Sequence, residues 1–174
     1  MQIRDARLED LAVILDIYNE VIATTTAVYN DDPLNPGEFA VWFQDRLEAG
    51  YPVLVAEDGD GRILGFSSFG DFRPRPGFRF TVEHSVHLAP EARGKGIGKA
   101  LVSALFPRAQ ALGKHTMIGA VDAANEASIR FHEKLGFIRV GTLPQVGFKF
   151  DRWLDLVYMQ KFIEGSGDAP PVTA

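Results

Sequence analysis

The sequence predicts an α/β domain that contains a sheet of about seven strands and about four helices. Apolar stretches typical of strands occur between segments in which apolar residues recur every three or four positions. Capping and turn signals mark the boundaries between these segments. The length of 174 residues, with 46% hydrophobic and 24% charged residues, fits one domain with a substantial core, as in an ordinary soluble protein.

The first part of the chain is predicted to form three strands and two helices. Apolar residues from Leu8 to Val21 follow helical spacing. The second helix opens at Asn35 as its cap, with Glu38 placed for a capping box, and it stops at Gly50. The elements are a strand at 2–5, helices at 8–23 and 35–49, and strands at 53–56 and 63–69.

The second part of the chain is predicted to form four strands and two helices. A loop rich in proline and arginine spans Asp71 to Phe78, and another loop is expected from Gln145 to Arg152. We place the domain at residues 1–163 and expect a disordered tail at 164–174, which has no core-facing pattern. The elements are strands at 80–88, 116–121, 137–143 and 153–162, a helix that begins at 97 and a helix at 125–135.

The composition argues against several classes of partner. A net charge of −5 without a basic run argues against nucleic acid. There is no run of eighteen apolar residues and no basic-then-apolar leader, which argues against a membrane span or a signal peptide. The absence of cysteine excludes disulfides, a thiol nucleophile and a cysteine-bound metal. We therefore expect a cytoplasmic protein without a metal site.

The segment from Arg93 to Ala100, with the sequence RGKGIGKA, is typical of a helix start that holds phosphate with its backbone. Glycines at three alternate positions let the main chain approach a ligand closely, because no Cβ intervenes. The apolar spacing that follows begins a helix, whose free first N–H groups and dipole favour an anion. Arg93 and Lys95 add positive charge at the mouth of this segment.

Two common phosphate-binding motifs do not fit this segment. A Walker A loop would need glycine at position 93 and serine or threonine at position 100, where the chain has Arg93 and Ala100. The dinucleotide fingerprint would need glycine at position 99, which is Lys99. The segment instead matches the pattern Arg/Gln-x-x-Gly-x-Gly.

That pattern binds pyrophosphate in the GNAT superfamily of N-acetyltransferases, which the chain resembles over residues 2–163. About thirty residues later, Asn125, Ser128 and His132 share one face of a short predicted helix, a segment that carries cofactor contacts in this superfamily. The chain resembles in particular the phosphinothricin / methionine sulfoximine N-acetyltransferases. The segments that carry this closer resemblance are Arg73 to Arg75, Thr81 to Val86 and Gln145 to Asp155.

The resemblance implies the GNAT fold, with a mixed and mostly antiparallel sheet, and acetyl-CoA as the acetyl donor. It also implies that the strand before the glycine-rich segment bulges, separates from its neighbour and offers backbone groups to the pantetheine arm. The residues expected to bind the cofactor are Val86, His87, Leu88, Arg93, Gly94, Lys95, Gly96, Ile97, Gly98, Lys99, Asn125 and Ser128.

Glu83 is the residue that we expect to act as general base. It alternates with Thr81, Ser85 and His87 on a strand, so a carboxylate stands among small polar residues in an otherwise apolar sheet. A buried carboxylate is costly without partners and calls for an explanation. The pattern by itself fits equally well a glutamate on the solvent face of a half-exposed strand. The resemblance favours the base, because family members have glutamate at this position.

The histidines have different expected roles. His84 and His87 are three apart on a strand, so they point to opposite faces and cannot jointly hold a metal. His132 is either a helix-surface histidine that packs on its neighbours or a contact of the cofactor's sulfur end. We favour the contact and assign His132 with Glu83 as catalytic, leaving protonation of the thiolate open.

A restrained basic loop is expected to meet the substrate. Two guanidinium groups that flank a proline suit a carboxylate or a tetrahedral phosphinate or sulfoximine head. The alternative, which is the more common case for arginines in a loop, is that both side chains are simply solvated. Phe148, Phe150 and Trp153 are interpreted as core or as contacts of a homodimer, which the resemblance also implies. The residues expected to bind substrate are Arg73, Pro74, Arg75, Glu83, His84, Ser85 and Lys149.

The function predicted from these residues and this resemblance is acetyl-CoA-dependent N-acetylation of the α-amino group of a small amino acid or analogue, of phosphinothricin or methionine sulfoximine type. Direct transfer is expected, because the chain has no cysteine and no serine in a G-x-S-x-G elbow. Two alternatives stay open, an acetyltransferase for another amine such as a peptide N-terminus, and an acyl-CoA-binding domain without catalysis. Glu83 discriminates between enzyme and binding domain.

Overall fold

Seven strands form one sheet, packed against four α-helices, in the computed structural model, which describes residues 1–165. The predicted numbers of strands and helices are confirmed, whereas the predicted tail lies outside the described residues from position 166 onward. The strands are β1 (Gln2–Asp5), β2 (Val53–Glu57), β3 (Ile63–Asp71), β4 (Thr81–Leu88), β5 (Thr116–Asp122), β6 (Ile138–Lys149) and β7 (Arg152–Phe162). The helices are α1 (Leu11–Thr24), α2 (Pro36–Glu48), α3 (Ile97–Ala111) and α4 (Glu126–Lys134).

The sheet is mixed and mostly antiparallel, as predicted. Its strand order is β1-β2-β3-β4-β5-β7-β6, and β4 with β5 is the parallel pair within the described residues. The connection between these two parallel strands is the glycine-rich segment followed by α3, because parallel neighbours need a crossover. The central strand β4 therefore leads directly into the segment that the sequence marks for phosphate.

The alternation of side chains along β4 assigns the helices to the two faces of the sheet. His87 packs against the ring of Tyr18 in α1, with 5.1 Å between ring centroids, while the next residue, Leu88, packs against Gly98 in α3. His84, on the same face as Leu88, meets His132 in α4. Helices α1 and α2 thus cover the face that carries Glu83, and α3 and α4 cover the other.

The hydrophobic core fills both faces. Phe66 and Phe69 of β3, and Leu101 and Leu105 of α3, are almost fully buried. Burial of each such side chain contributes roughly 1.5–3 kcal/mol to folding. Since the core holds β3 and β4 from both sides, the centre of the sheet is a rigid base for the groups that β4 presents.

The prediction of a loop from Gln145 to Arg152 is wrong. Strand β6 continues to Lys149, and a turn through Phe150 and Asp151, both at positive φ, joins it to β7. The strand absorbs a register shift between Leu143 and Gly147, and Gln145 inside it has φ 51°. Proline and glycine in this segment accommodate the irregularity rather than end the strand.

The aromatic residues of this hairpin do not belong to the core. Phe148, Phe150 and Trp153 are 50%, 51% and 62% exposed, so the interpretation of these residues as core is wrong.

None of the helices within residues 1–165 combines the length and the apolar content needed to cross a bilayer.

Candidate active site

The site is built where β4 and β5 separate. Three residue pairs, from Thr81 with Thr116 to Glu83 with Ile118, join the two strands, although β4 continues to Leu88 and β5 to Asp122. On their other sides the strands stay paired, β4 with β3 and β5 with β7. The sheet therefore opens into a gap that begins directly after Glu83.

The backbone of β4 offers unpaired groups to this gap. Ala89 donates its N–H to Leu64 in the β3 direction, and the alternation of an antiparallel ladder makes the odd residues of β4 the ones that bond to β3. The even residues of β4 consequently point their N–H and C=O groups toward β5, and the last of these groups to pair with β5 is the N–H of His84, which closes the Glu83–Ile118 pair. Beyond it, the C=O of His84, both backbone groups of Val86 and the N–H of Leu88 face the gap, where the ladder has ended. The expected separation is present, but the β3–β4 ladder runs without a register shift, so the expected bulge is not.

The glycine-rich segment forms a tight turn at the end of this gap. Gly94 and Gly96 have φ of 75° and 78°, a conformation that costs a residue with a Cβ about 1–2 kcal/mol. Gly96 is the N-cap of α3 and supplies no side chain to cap it, so the first N–H groups of the helix are available to an anion. Lys95 and Lys99 are exposed beside them.

Arg93 fixes this turn to the rest of the molecule. Its Nη2 donates to Glu20 at 2.6 Å and to the carbonyl of Leu88 at 3.3 Å. The guanidinium therefore links the end of β4 to α1, and Gly98 packs on Leu88 from the start of α3. These contacts place the turn next to the gap.

A cavity of about 540 Å³ adjoins the opened strands. The structure brings eight of the predicted residues together on its wall: Glu83, His84, Ser85, Val86, His87, Asn125, Ser128 and His132. It does not bring the glycine-rich turn, the arginine loop or Lys149 to this wall. Asn125 also caps α4, since its Oδ1 accepts the N–H of Ser128 at 3.0 Å, which explains why these two residues and His132 share one face.

Glu83 lies half-buried on the cavity wall. Burial raises the pKa of its carboxyl, and the nearby charge of Arg73 opposes that shift. A carboxylate with a raised pKa and no protein hydrogen-bond partner in the described part of the chain is suited to accept a proton from a ligand. The fold places Glu83 on the cavity wall and not on a solvent-facing side of the sheet, so the alternative interpretation of this residue is wrong.

His84 and His132 form a hydrogen-bonded pair across the gap. The Nε2 atoms are 3.2 Å apart, and Nδ1 of His132 lies 2.7 Å from the carbonyl oxygen of Ser128. Because a carbonyl only accepts, His132 carries its proton on Nδ1, and its bare Nε2 accepts the Nε2–H of His84. Both nitrogens of a neutral His132 are then engaged within the protein.

Burial keeps the cavity histidines uncharged. It lowers the pKa of His84 to about 3, with the neighbouring imidazoles adding to the effect, and that of His87 to about 4. Burial also lowers the pKa of His132. The Nδ1 of His84 is buried without a hydrogen-bond partner. Gly119 leaves room for the pair, because a Cβ there would lie 2.9 Å from Nε2 of His132.

The arginine loop lies outside the cavity wall. Arg73 is exposed, lies over the ring of Phe72 at 4.6 Å and donates to the hydroxyl of Tyr158 at 3.4 Å. It is close enough to Glu83 to affect its pKa. Pro74 and Arg75 are exposed farther along the loop.

Lys149 is not directed at the cavity. It is 2% exposed, and its ammonium donates to the carbonyl oxygens of Ile22, Thr25 and Val28 at 2.6, 3.0 and 2.7 Å. All three donors of the ammonium are thereby used. Lys149 closes the end of α1 and fixes the segment that follows it.

That segment, residues 26–29, forms one wall of the cavity. The hydroxyl of Thr26 bonds to Asp122 at the end of β5, and the ring of Tyr29 occupies the space that a Cβ on Gly147 would fill. The wall is thus held by contacts to β5 and β6 as well as by Lys149. Sequence reasoning missed it, because nothing local marks a loop whose partners are about 100 residues away.

Sequence reasoning also missed the wall contributed by α2. Phe39, Trp42 and Arg46 line the cavity together with Tyr18 and Phe66. The first three occur at intervals of three and four, so they share one helix face, a pattern that the sequence contains. An arginine at the end of an aromatic stripe is the signal that could have identified this wall.

Comparison with known proteins defines the class. The model of the acetyltransferase (GNAT) family matches residues 14–137. The structure of yncA from Salmonella typhimurium with its cofactor acetyl-CoA has a TM-score of 0.94 to this chain at 44% identity, covering 99% of this chain and 98% of that one. The chain belongs to the GNAT family and is an acetyltransferase.

Two relatives agree with the narrower resemblance. The chain is 49% identical over 168 residues to the L-methionine sulfoximine/L-methionine sulfone acetyltransferase of Pseudomonas aeruginosa, covering 97% of this chain and 98% of the relative. It is 40% identical over 160 residues to the phosphinothricin N-acetyltransferase of Alcaligenes faecalis, covering 91% and 81%. The recognition made from the sequence is confirmed.

Replacement of Lys149 by methionine is expected to destabilise the protein by about 2–4 kcal/mol, because three buried carbonyls lose their donor. The wall at 26–29 should loosen, so the KM for the acceptor substrate should rise more than kcat falls. Urea unfolding measures the change in stability, and steady-state kinetics measures the changes in KM and kcat. Lys161→Met is the matched control, since that ammonium lies over the ring of Phe106. A variant no less stable than this control, or one with an unchanged KM and a lost kcat, would contradict the assignment.

Proposed function

We propose that the protein transfers the acetyl group of acetyl-CoA to the α-amino group of a small amino acid, of the methionine sulfoximine, methionine sulfone or phosphinothricin type. The observation that carries the proposal is the half-buried carboxyl of Glu83 at the point where β4 and β5 separate. A non-catalytic acyl-CoA-binding domain would have no use for a carboxylate there. The names of the relatives support the acceptor class.

The residues of the gap fit coenzyme A. The backbone N–H and C=O of Val86 and the N–H of Leu88 have no ladder partner and need one, which the amides of a pantetheine arm can supply. The uncapped start of α3, with Gly94 and Gly96 offering no Cβ, fits a pyrophosphate. The other residues proposed for this contact are His87, Arg93, Lys95, Ile97, Gly98, Lys99, Asn125 and Ser128.

In the proposed mechanism Glu83 removes a proton from the substrate ammonium, directly or through water. The bound donor supplies a thioester, and the freed amine nitrogen attacks its carbonyl carbon. The N–H of Val86 or Leu88 stabilises the negative charge that develops on the carbonyl oxygen. The C–S bond then breaks, the attached nitrogen loses its excess proton as the amide forms, and the departing thiolate takes up that proton, directly or through water.

His132 is proposed to contact the sulfur end of the donor. Its position across the gap from β4, beside Asn125 and Ser128, supports this role. A neutral His132 has its N–H on Ser128 and therefore would need a second proton before it could act as an acid. The bond from His84 fixes the ring, which makes orientation of the sulfur the main contribution of His132. Arg73, beside Glu83, is proposed to face the polar head of the substrate side chain.

The protein is also proposed to be a cytoplasmic homodimer that pairs through the β6–β7 hairpin. Phe148, Phe150 and Trp153 form an exposed aromatic surface there, with 5.1 Å between the ring centroids of Phe148 and Trp153. Sedimentation should give a dimer at micromolar concentration, and Trp153→Asp should shift it toward monomer. The control is Val41→Asp, at a site 61% exposed on α2. A wild-type monomer, or equal effects of both variants, would count against this interface.

Gly96→Val should weaken coenzyme A binding at least about tenfold, because a branched side chain would stand where the pyrophosphate approaches. The positive φ also imposes strain, so Gly113→Val is the matched control. Gly113 has φ 66° and, like Gly96, open space around a Cβ. Both variants should lose similar stability, and titration calorimetry should find weaker binding in the first. Equal affinity in the two folded variants would refute the proposed site.

Glu83→Gln should retain coenzyme A binding but lose most of its turnover at neutral pH, since it keeps the shape of the side chain and removes the base. General-base removal costs about a hundredfold to ten-thousandfold in rate. The defect should shrink as pH rises, because more of the amine is then deprotonated by solvent. Thiol release should be measured with methionine sulfoximine, methionine sulfone and phosphinothricin from about pH 6 to 9.5.

The same assay separates the remaining possibilities. A variant with wild-type kcat throughout this range would remove Glu83 from the mechanism. A raised KM with unchanged kcat would reduce its role to binding the ammonium. Release with an N-terminal peptide but with none of the amino acids would favour the other acceptor class.

A further inference from the structure

Arg46 carries a positive charge into the cavity, and no group of the described residues forms a hydrogen bond or an ion pair with it. It lies in α2 on the wall of the cavity and is partly buried. Within residues 1–165 its guanidinium makes no hydrogen bond or ion pair to a protein group, and its Nε is buried with no acceptor at all. A buried guanidinium donor without an acceptor is costly, so this arrangement indicates a ligand that is absent from the free protein.

The position of the guanidinium is fixed by Gly70. A Cβ on Gly70 would overlap Cζ and Nη1 of Arg46, so the side chain lies flat against the backbone of β3. The ring of Trp42 supports it from α2 at 5.6 Å. Gly70 is the register partner of Glu83 in the β3–β4 ladder. Opposed residues of a hydrogen-bonded pair have Cα atoms about 5.5 Å apart and present the same face, so the guanidinium, seated over Gly70, lies on the strand next to the proposed base and on the same face of the sheet.

The two carboxylates that act on Arg46 electrostatically, those of Asp45 and Asp71, form no ion pair with it in the described part of the chain. Asp71 acts on Arg46 electrostatically, but it accepts the hydroxyl proton of Tyr51 and lies 3.9 Å from the ammonium of Lys114. The guanidinium stays protonated at neutral pH. Its unused donors therefore remain available to an acceptor inside the cavity.

We propose that Arg46 binds the α-carboxylate of the amino acid substrate. This inference rests on the proposed acetylation of an α-amine. In an α-amino acid the amine and the carboxylate share one carbon, so a base that receives the amine and a cation that receives the carboxylate must be neighbours. Glu83 and the Arg46 guanidinium, on opposed residues of β4 and β3, satisfy this requirement. Arg46 thereby selects free amino acids over plain amines and over peptide N-termini, which have an amide at this position.

The experiment compares L-methionine sulfone with 3-(methylsulfonyl)propylamine, the same molecule without its carboxylate. The ratio of kcat/KM for the amino acid to kcat/KM for the amine should fall about 10- to 100-fold in Arg46→Met. Arg46→Lys should retain part of the ratio. Arg73→Met should keep the ratio. Circular dichroism and coenzyme A calorimetry establish that the variants fold and bind the donor.

Several outcomes would overturn this role. Equal losses on both substrates would make Arg46 a support of the fold. A lost ratio in Arg73→Met with a retained ratio in Arg46→Met would move the carboxylate site to the exposed loop. Arg46→Met could instead keep the ratio of amino acid to amine and lose only the preference for L-methionine sulfone over L-norleucine. That result would assign Arg46 to the sulfone oxygens. Failure of the wild type to acetylate any amino acid would instead refute the proposed function itself.

Discussion

The separation of β4 from β5 directly after Glu83 is the constraint on which the site depends. Three ladder pairs hold the strands together, and beyond them the backbone of β4 has lost its partner while its other edge stays bonded to β3. Because the strand is anchored on one side, its free N–H and C=O groups are held in fixed directions. The glycine-rich turn and α3 then start at the end of this strand, so one strand positions the carboxylate, the free backbone and the anion site.

The charges around the cavity follow from how its groups are buried. The three histidines on its wall are kept neutral by burial, with the pKa of His84 at about 3. The carboxyl of Glu83 has a raised pKa, which suits a group that must take up a proton and release it again. Arg46 is thus the positively charged side chain on the described cavity wall, and Arg73 acts on Glu83 from outside it.

The sequence predicts best those parts of the site that are local. The alternation of Glu83 with Ser85 and His87, the spacing of Asn125, Ser128 and His132, and the glycine turn are all short-range patterns. Such patterns determine direction and conformation without knowledge of the rest of the chain, and the described fold brings the first two groups onto the cavity wall.

The parts that could not be predicted depend on distant partners. A lysine in an aromatic hairpin gives no sign that its ammonium will meet carbonyls more than 120 residues away, as Lys149 does. Likewise, whether Arg46 is solvated or enclosed depends on a glycine in β3 rather than on its own helix. Packing between residues far apart in the chain determines these roles, and such packing cannot be predicted from the local pattern of a single sequence.

The short β4–β5 ladder has a consequence for the cooperativity of the molecule. The β1–β4 half and the β5–β7–β6 half share three ladder pairs, against seven on either side of that seam. Amide exchange by local opening should therefore be easiest along the seam, where the fewest backbone hydrogen bonds join neighbouring strands. A ligand bound in the gap would contact both halves and would bond to backbone groups that have no strand partner. At a concentration one hundred times its Kd it would contribute about 2.7 kcal/mol to the stability of the whole chain.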